Sequence, residues 1–189
     1  LFPLGKNGFV SATAYYNYLK GGYSILFRPD LYNYSVNSNF YGGILNYQLK
    51  KDAFKLNWGL HVNDYMRAHY SSTEPKGDSL LYKNIGHKNE FATFLKLSYE
   101  IKQLTLFADV QYRYTKFKYE ADKNTPVDIQ AMNWQFINPK AGVSYVFQNK
   151  HILYASVGKS SREPTRNDLF AGYDNIDSLT YLEIGPLNR

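Results

Sequence analysis

Residues 89–118 show the clearest alternation of apolar and polar side chains in this sequence. Two stretches with a period of two flank the dipeptide Lys102-Gln103, and their apolar positions begin beside it at Ile101 and Leu104. Because side chains alternate across a β-strand, such a period gives each strand one apolar and one polar face. A connection this short suits a tight hairpin. The pattern therefore predicts two antiparallel strands whose apolar faces lie side by side.

The same alternation recurs along the chain and predicts seven long strands, with no helix between them. They comprise residues 9–18, 39–49, 54–67, 89–101, 104–119, 135–147 and 151–160. In the third strand the apolar face runs from Phe54 to Val62, and Asp64 interrupts it. At a rise of about 3.3 Å and a tilt of about 40°, this stretch climbs roughly 23 Å, close to the height of about 25 Å of a lipid-facing band. Asp64 is therefore expected at the edge of such a band.

Short and long connections alternate between the predicted strands. The long ones are residues 20–37, 69–88 and 120–134, and the short ones are residues 50–53, 102–103 and 148–150. Short turns at one rim and long loops at the other are typical of outer-membrane barrels, whereas strands of soluble sheets centre on only about 5–6 residues. A soluble sandwich or small barrel with its apolar side chains inside is the alternative. The predicted class is all-β, an antiparallel up-and-down transmembrane β-barrel segment.

Seven strands do not complete a single-chain bacterial barrel, which has an even number of strands from eight upward. Open edges would leave backbone groups unpaired in lipid, where nothing solvates them. Residues 169–185 are too polar for an eighth strand. We therefore expect residues 1–189 to be a partial domain of a larger barrel.

The composition fits membrane strands better than a soluble domain. The 189 residues include 19 Tyr and 12 Phe, and belts of aromatic residues mark both interfaces of membrane proteins. The net charge of +6 is spread over strands and turns, whereas a nucleic-acid site would need clustered Lys and Arg on one face. The sequence contains no Cys, which excludes disulfides and thiolate metal sites. Nucleic acid is therefore not an expected partner.

No arrangement of side chains indicates catalysis, so we predict that the protein is not an enzyme and holds no cofactor. No metal-ligand spacing separates the four histidines, which are His61, His69, His87 and His151. Asp174, Asn175 and Asp177 are a weak alternative as ligands of a hard cation in a loop.

Several short motifs resemble those of TonB-dependent outer-membrane receptors, especially of the Bacteroidetes type. They are NFYGG at 39–43, KNEF at 88–91, FADVQYR at 107–113, NPKAG at 138–142, LYAS at 153–156 and SREPTRND at 161–168. The last motif is the most specific. The resemblance implies a barrel of about 22 strands around an N-terminal plug domain. The chain carries no recognisable plug or TonB box, as expected for a fragment.

The resemblance also implies a function. Receptors of this family lie in the bacterial outer membrane and import scarce nutrients such as ferric siderophores, haem, cobalamin or glycans, with energy passed on by TonB. The expected partners are outer-membrane lipid, the plug domain, TonB and a small-molecule nutrient or metal chelate. The alternative is a soluble or small-barrel β-sheet module that binds carbohydrate or another ligand.

Two sets of residues are candidates for the functional site. The lumen-facing polar set, expected to pair across neighbouring strands, comprises Lys96, Glu100, Asp109, Arg113 and Lys140. The rim set comprises Arg162, Glu163, Arg166 and Asp168. Charge-assisted bonds of the rim set are expected to order the loop or to face the plug, with substrate contact as the alternative. Tyr and Phe in residues 20–37 and 69–88 are expected either to grip a ligand or to form interfacial belts.

Overall fold

The computed structural model describes residues 2–74, 79–124, 126–148 and 150–176, whose strands form an eight-stranded antiparallel sheet in chain order. The strands are β1 (Phe2–Leu4), β2 (Gly8–Phe27), β3 (Asp30–Lys51), β4 (Phe54–Glu74), β5 (Ser79–Ile101), β6 (Leu104–Glu120), β7 (Met132–Phe147) and β8 (His151–Gly158). A five-residue helix, α1 (Arg166–Phe170), follows β8. The predicted up-and-down sheet of long strands is confirmed, with β1 as a short addition, and the prediction of no helix is wrong at α1.

Two predicted long loops are largely wrong, because the strands continue through them. β2 and β3 stay paired from Lys20 opposite Asn37 to Phe27 opposite Asp30, and β4 continues beyond residue 69 to Glu74. Beyond an apolar band both faces of a strand meet water, so the alternation fades while Tyr and Thr keep their preference for strands. The third predicted connection, residues 120–134, agrees with the end of β6 within one residue and with the start of β7 within three residues.

The short turns lie together at one rim of the sheet. Asp52, Lys102 and Gln148 take φ angles of 50°, 52° and 50° in the turns after β3, β5 and β7. At the opposite rim β2 and β3 meet at Arg28-Pro29, and a longer connection joins β6 to β7. The parts of β2 to β5 that lie within residues 20–37 and 69–88 are here called the strand extensions. They supply much of the length that the sequence assigned to loops at this rim.

The face predicted to be apolar, here called the outer face, is exposed. Its side chains that are 44% to 77% exposed include Val62, Leu106, Ile137, Leu153 and Val157. Tyr16 pairs with Tyr41 on the side of the strand extensions, and Phe54 pairs with Tyr99 on the side of the short turns. An apolar surface of this extent, with aromatic residues towards both ends, is typical of the lipid-facing wall of a membrane barrel.

The edges of the sheet are open in the part of the chain that the structure describes. β8 pairs only with β7 there, and all of its residues are exposed. The sheet is consequently an arc of barrel wall. Among the described residues, no helix has the length and apolarity needed to cross a membrane.

The opposite face, here called the inner face, is covered near the rim of the strand extensions. Residues 159–176, here called the fold-back segment, turn back after β8 and pack against β5 to β7. The buried core at this contact comprises Tyr119, Ile129, Met132, Leu169, Phe170 and Ile176. Phe170 is 1% exposed and Ile176 is fully buried, so apolar burial holds the segment against the wall.

Candidate functional site

The lumen candidates Lys96, Asp109 and Lys140 lie in one row on the inner face. The strand register sets Asp109 opposite Lys96 on one side and opposite Lys140 on the other. The ammonium groups of the two lysines lie over aromatic rings, 5.3 Å from the centroid of Phe94 and 5.9 Å from that of Phe107. The ion pairs found among the described residues do not include the expected pairs with Asp109. Cation–π contact therefore takes the place of the expected pairing.

The other two lumen candidates do form ion pairs across strands. Glu100 binds Lys55 of β4 close to the short turns. Arg113 of β6 binds Glu90 of β5, with Nη2 2.8 Å from Oε2. The Lys55–Glu100 pair is exposed, whereas the side chains of Arg113 and Glu90 are 19% and 15% exposed. Only the Arg113 pair lies beneath the fold-back segment.

A reciprocal cap starts α1 inside the fold-back segment. The Thr165 hydroxyl accepts from the Asp168 backbone N–H, and the Asp168 carboxylate accepts from the Thr165 N–H at 2.7 Å. This capping box satisfies two backbone donors that a helix start leaves free. The hydrogen bonds from Thr165 hold the pKa of the Asp168 carboxyl below its usual range. Of the rim candidates, Asp168 thus orders the segment itself.

Glu163 anchors the fold-back segment to the wall. Its carboxylate accepts from Lys88 Nζ at 2.5 Å and from Arg113 Nη2 at 3.1 Å. Glu90 approaches the same two cations, so four charges of alternating sign form a neutral quartet. Burial alone would raise the pKa of the Glu163 carboxyl, but the Lys88 hydrogen bond and the two cations outweigh it and hold the pKa below its usual range. Glu163 is therefore an ionised bridge between β5, β6 and the segment.

Arg166, three residues after Glu163, makes a second anchor. Its Nη1 lies 2.8 Å from His69 Nε2 of β4, and its Nη2 donates to the backbone carbonyls of Tyr173 and Asp174. Asn84 of β5 donates to the Asp174 carbonyl at 2.9 Å. Burial, followed by the charge of Arg166, lowers the pKa of His69 to about 4. A neutral imidazole nitrogen is thus available to accept a hydrogen bond from Arg166.

A cavity of about 360 Å³ lies between the inner face and the fold-back segment. Its charged lining consists of Arg67, Lys88, Arg113, Arg162, Arg166 and Glu163. Aromatic side chains, including Tyr65, Phe117 and Trp134, form much of the remaining wall. The arrangement suits an anionic ligand with an apolar part better than a cation. This cavity is the candidate functional site.

Tyrosines on the strand extensions lie beyond the cavity, where the sequence predicted loops. Tyr23 and Tyr34 stack with their ring centroids 5.2 Å apart, and Phe27 meets Tyr32 edge-on at 5.7 Å. Burial is the main cause that raises the pKa of nearby Tyr82 to about 12. Aromatic side chains thus line the inner face on the way to the cavity.

The histidines and the loop carboxylates do not assemble a metal site in the described part of the chain. No three His, Cys, Asp or Glu side chains gather there. His61 instead meets the hydroxyl of Tyr15 at 2.6 Å, and His87 lies 3.7 Å from Glu120. Asp177, one of the weak cation-ligand candidates, lies outside the described residues.

Sequence reasoning placed the rim set at the site but missed its partners on the wall. Arg67, His69, Asn84 and Thr115 alternate with outer-face residues along β4 to β6. For Arg67, the period of two was an available signal. For His69 and Asn84, the period of two was not used as a signal, because residues 69–88 were wrongly predicted to be a loop.

The long antiparallel strands, the exposed apolar outer face and the charged inner face define a class, the wall of a transmembrane β-barrel. The family described as TonB dependent receptor-like, beta-barrel, matches residues 4–187. The chain belongs to this family, and the resemblance inferred from its motifs is confirmed. A comparison with curated proteins gave no match.

Solved structures of similar fold are longer transport receptors. The copper transporter OprC shares 18% identity with a TM-score of 0.73, and the alignment covers 88% of this chain and 30% of OprC. The ferric citrate transporter FecA, in its unliganded form, shares 10% identity with a TM-score of 0.70, and the alignment covers 79% of this chain and 24% of FecA. The ferric yersiniabactin uptake receptor FyuA from Yersinia pestis shares 12% identity with a TM-score of 0.65, and the alignment covers 81% of this chain and 26% of FyuA. At these identities the likeness is one of fold, and this chain spans about a quarter to a third of each receptor's length.

Proposed function

We propose that residues 1–189 are part of a TonB-dependent receptor that imports a scarce nutrient across the bacterial outer membrane. The nutrient is a small molecule or metal chelate, such as a ferric siderophore, haem or cobalamin. TonB supplies the energy through a plug domain, and the chain itself performs no enzymatic chemistry. Family membership and the names of FecA and FyuA support this proposal.

The observation that carries the proposal is the difference in chemistry between the two faces of the sheet. The outer face exposes an apolar surface suited to outer-membrane lipid, while the inner face holds a charged cavity under the fold-back segment. Lys96, Glu100, Asp109, Arg113 and Lys140 then line the lumen opposite the plug. A soluble module would have to bury the outer face, and the described residues offer nothing that covers it.

The rim set divides into two roles in this proposal. Glu163, Arg166 and Asp168 hold the fold-back segment in place through the contacts described above. Arg162 makes no such contact with the described residues and is available to a ligand at the cavity. Within the rim set, the alternative of substrate contact therefore suits Arg162 best.

Uptake by intact cells tests the proposal. The gene for the complete receptor is deleted, and uptake of radiolabelled ferric citrate, other ferric siderophores, haem and cobalamin is measured during nutrient limitation. We expect the uptake of one of these nutrients to fall to background, to return with the wild-type gene, and to require TonB. Unchanged uptake of all of them would refute this choice of nutrients, and uptake that persists without TonB would refute the proposed energy source.

A further inference from the structure

The cations that line the cavity are not all neutralised. Lys88 and Arg113 share two carboxylates, Glu90 and Glu163, within the neutral quartet. Arg166 lies 3.5 Å from a carboxylate oxygen of Asp174. After this pairing, the guanidinium groups of Arg67 and Arg162 still line the same space.

Arg67 and Arg162 form no ion pair with any described residue, and Arg162 acts on the Asp168 carboxylate only through the longer-range attraction between their charges. The Nε of Arg67 is buried and has no hydrogen-bond partner there, and its guanidinium carbon lies 5.8 Å from the ring centroid of Tyr65. Arg162 is exposed on the fold-back segment. A buried guanidinium donor without an acceptor is costly, so an acceptor in the cavity would stabilise it. The two arginines thus approach one cavity from the wall and from the segment.

Thr115 supplies a second, independent observation. Its side chain is fully buried, its hydroxyl has no hydrogen-bond partner among the described residues, and it lines the same cavity. Buried hydroxyls normally find a partner, because desolvating one without compensation costs about 1–3 kcal/mol. Of the neighbouring inner-face residues, Phe117 has no polar side-chain atom, and the indole N–H of Trp134 does not bond to the hydroxyl.

We propose that this cavity binds a small organic oxyanion, a carboxylate or phosphate attached to an apolar body. Its oxygens accept from Arg67, Arg162 and Thr115, and its body packs on Phe117 and Trp134. A volume of about 360 Å³ lies in the range of small-molecule sites. The inference rests on the proposed function, because it identifies the chemical class of the imported nutrient, or of its chelating part, that binds in this cavity.

Binding to the complete receptor, purified in detergent without TonB, tests this inference. Benzoate and phenyl phosphate, which carry the two oxyanions on an apolar ring, are titrated separately by calorimetry, so that the two arms distinguish a carboxylate from a phosphate ligand. We expect saturable binding of at least one anion, weakened by added salt because guanidinium–oxyanion contacts are screened. Binding of neither anion would overturn the inference.

Three variants locate the binding. Arg67→Gln and Arg162→Gln should each weaken the affinity about tenfold or more, since each removes a charge-assisted contact. Thr115→Val should weaken it severalfold without lowering the thermal stability, because it removes a buried hydroxyl that is unpaired in the free protein. Lys118→Gln is the matched control. It removes a cation from the outer-facing side of β6, where Lys118 pairs with Glu120, and should bind the anion as the wild type does.

The results separate this inference from the proposed function. If Arg67→Gln and Arg162→Gln leave the anion affinity unchanged but lower the thermal stability, other parts of the receptor neutralise the two arginines and the inference is wrong. Anion binding by the purified receptor, combined with no uptake defect in the deletion strain, would contradict the proposed transport and leave the binding site standing.

Discussion

Arg113 in β6 donates to the carboxylate of Glu163, which lies beyond β8, over a distance of 3.1 Å. The same carboxylate accepts from Lys88 of β5. One side chain of the fold-back segment therefore joins two neighbouring strands of the wall. Because Arg113 and Glu163 are largely shielded from water, the loss of this carboxylate would leave the two cations with one shared acceptor, Glu90, in place of two.

Replacement of Glu163 tests this anchor. Glu163→Gln should lower the free energy of unfolding by about 1–3 kcal/mol, since it removes both ion pairs while preserving shape. It should also speed proteolysis of the fold-back segment. For the complete receptor in detergent, denaturant titration measures the free energy of unfolding, and limited proteolysis measures the rate of cleavage in the fold-back segment.

Glu100→Gln is the matched control for this anchor. It removes the same charge from an exposed pair with Lys55 near the short turns, and exposed pairs contribute little. An equal loss of stability in the two variants would show that Glu163 has no special anchoring role.

The pH dependence of stability should reveal His69. Its folded-state pKa of about 4 lies below its ordinary value of 6.5, mainly because of burial and then because of Arg166. Between these values the unfolded state binds more protons, so stability rises with pH. The contribution is complete above about pH 6.5 and is lost as the pH falls towards 4.

Unfolding free energies measured between pH 7 and 4 check this prediction. His69→Gln keeps an acceptor for Arg166 but cannot titrate, so its stability should decline less steeply over the same range. Parallel profiles for the wild type and the variant would contradict the assignment to His69.

Two adjacent glycines should respond differently to the same substitution. A Cβ on Gly42 would lie 2.5 Å from the carbonyl oxygen of Val62 and 2.5 Å from the hydroxyl of Tyr15. On Gly43, the nearest atom would be the carbonyl oxygen of Thr13 at 3.7 Å. Gly42→Ala should therefore lower the free energy of unfolding by about 1–3 kcal/mol, and Gly43→Ala should be tolerated. Denaturant titration of both variants in micelles decides, and equal stabilities would refute the close packing at Gly42.

Probes on alternate residues should separate lipid from lumen. Single spin labels at Leu97, Leu106 and Val143 should be accessible to oxygen dissolved in the bilayer. Labels at Lys96, Thr105 and Ser144 should instead report water or protein, because neighbouring residues face opposite sides of a strand. The complete receptor in lipid bilayers is the sample. Lipid contact at the second set, or none at the first, would contradict the assignment of the outer face.

Local patterns accounted for much of the fold. The period of two from Phe54 to Val62 and the two-residue connection at Lys102-Gln103 define faces and hairpins without reference to any distant residue. The extension of β2 and β3 to Arg28-Pro29 escaped prediction, because a strand with water on both sides has no apolar period. The motif SREPTRND at 161–168 indicated the family, but the capping box at Thr165 within it was not predicted.

The candidate site depends on contacts that no local pattern encodes. Glu163 meets Lys88 and Arg113, 75 and 50 residues away along the chain, and Arg166 meets His69 over 97 residues. The residue types suggested charge-assisted bonds but left their partners open. The positions of the partners follow from the strand register and from the return of the chain after β8.

The sequence by itself determined the strand order, the two faces of the sheet and the family, because side-chain alternation, short turns and motifs are local properties of the chain. Only the tertiary structure decided that residues 159–176 fold onto the inner face and enclose a cavity with Arg67, Arg162 and Thr115. The physical reason is that burial of Phe170 and Ile176, together with the pairing of Glu163, depends on surfaces that exist only after β5 to β7 have assembled.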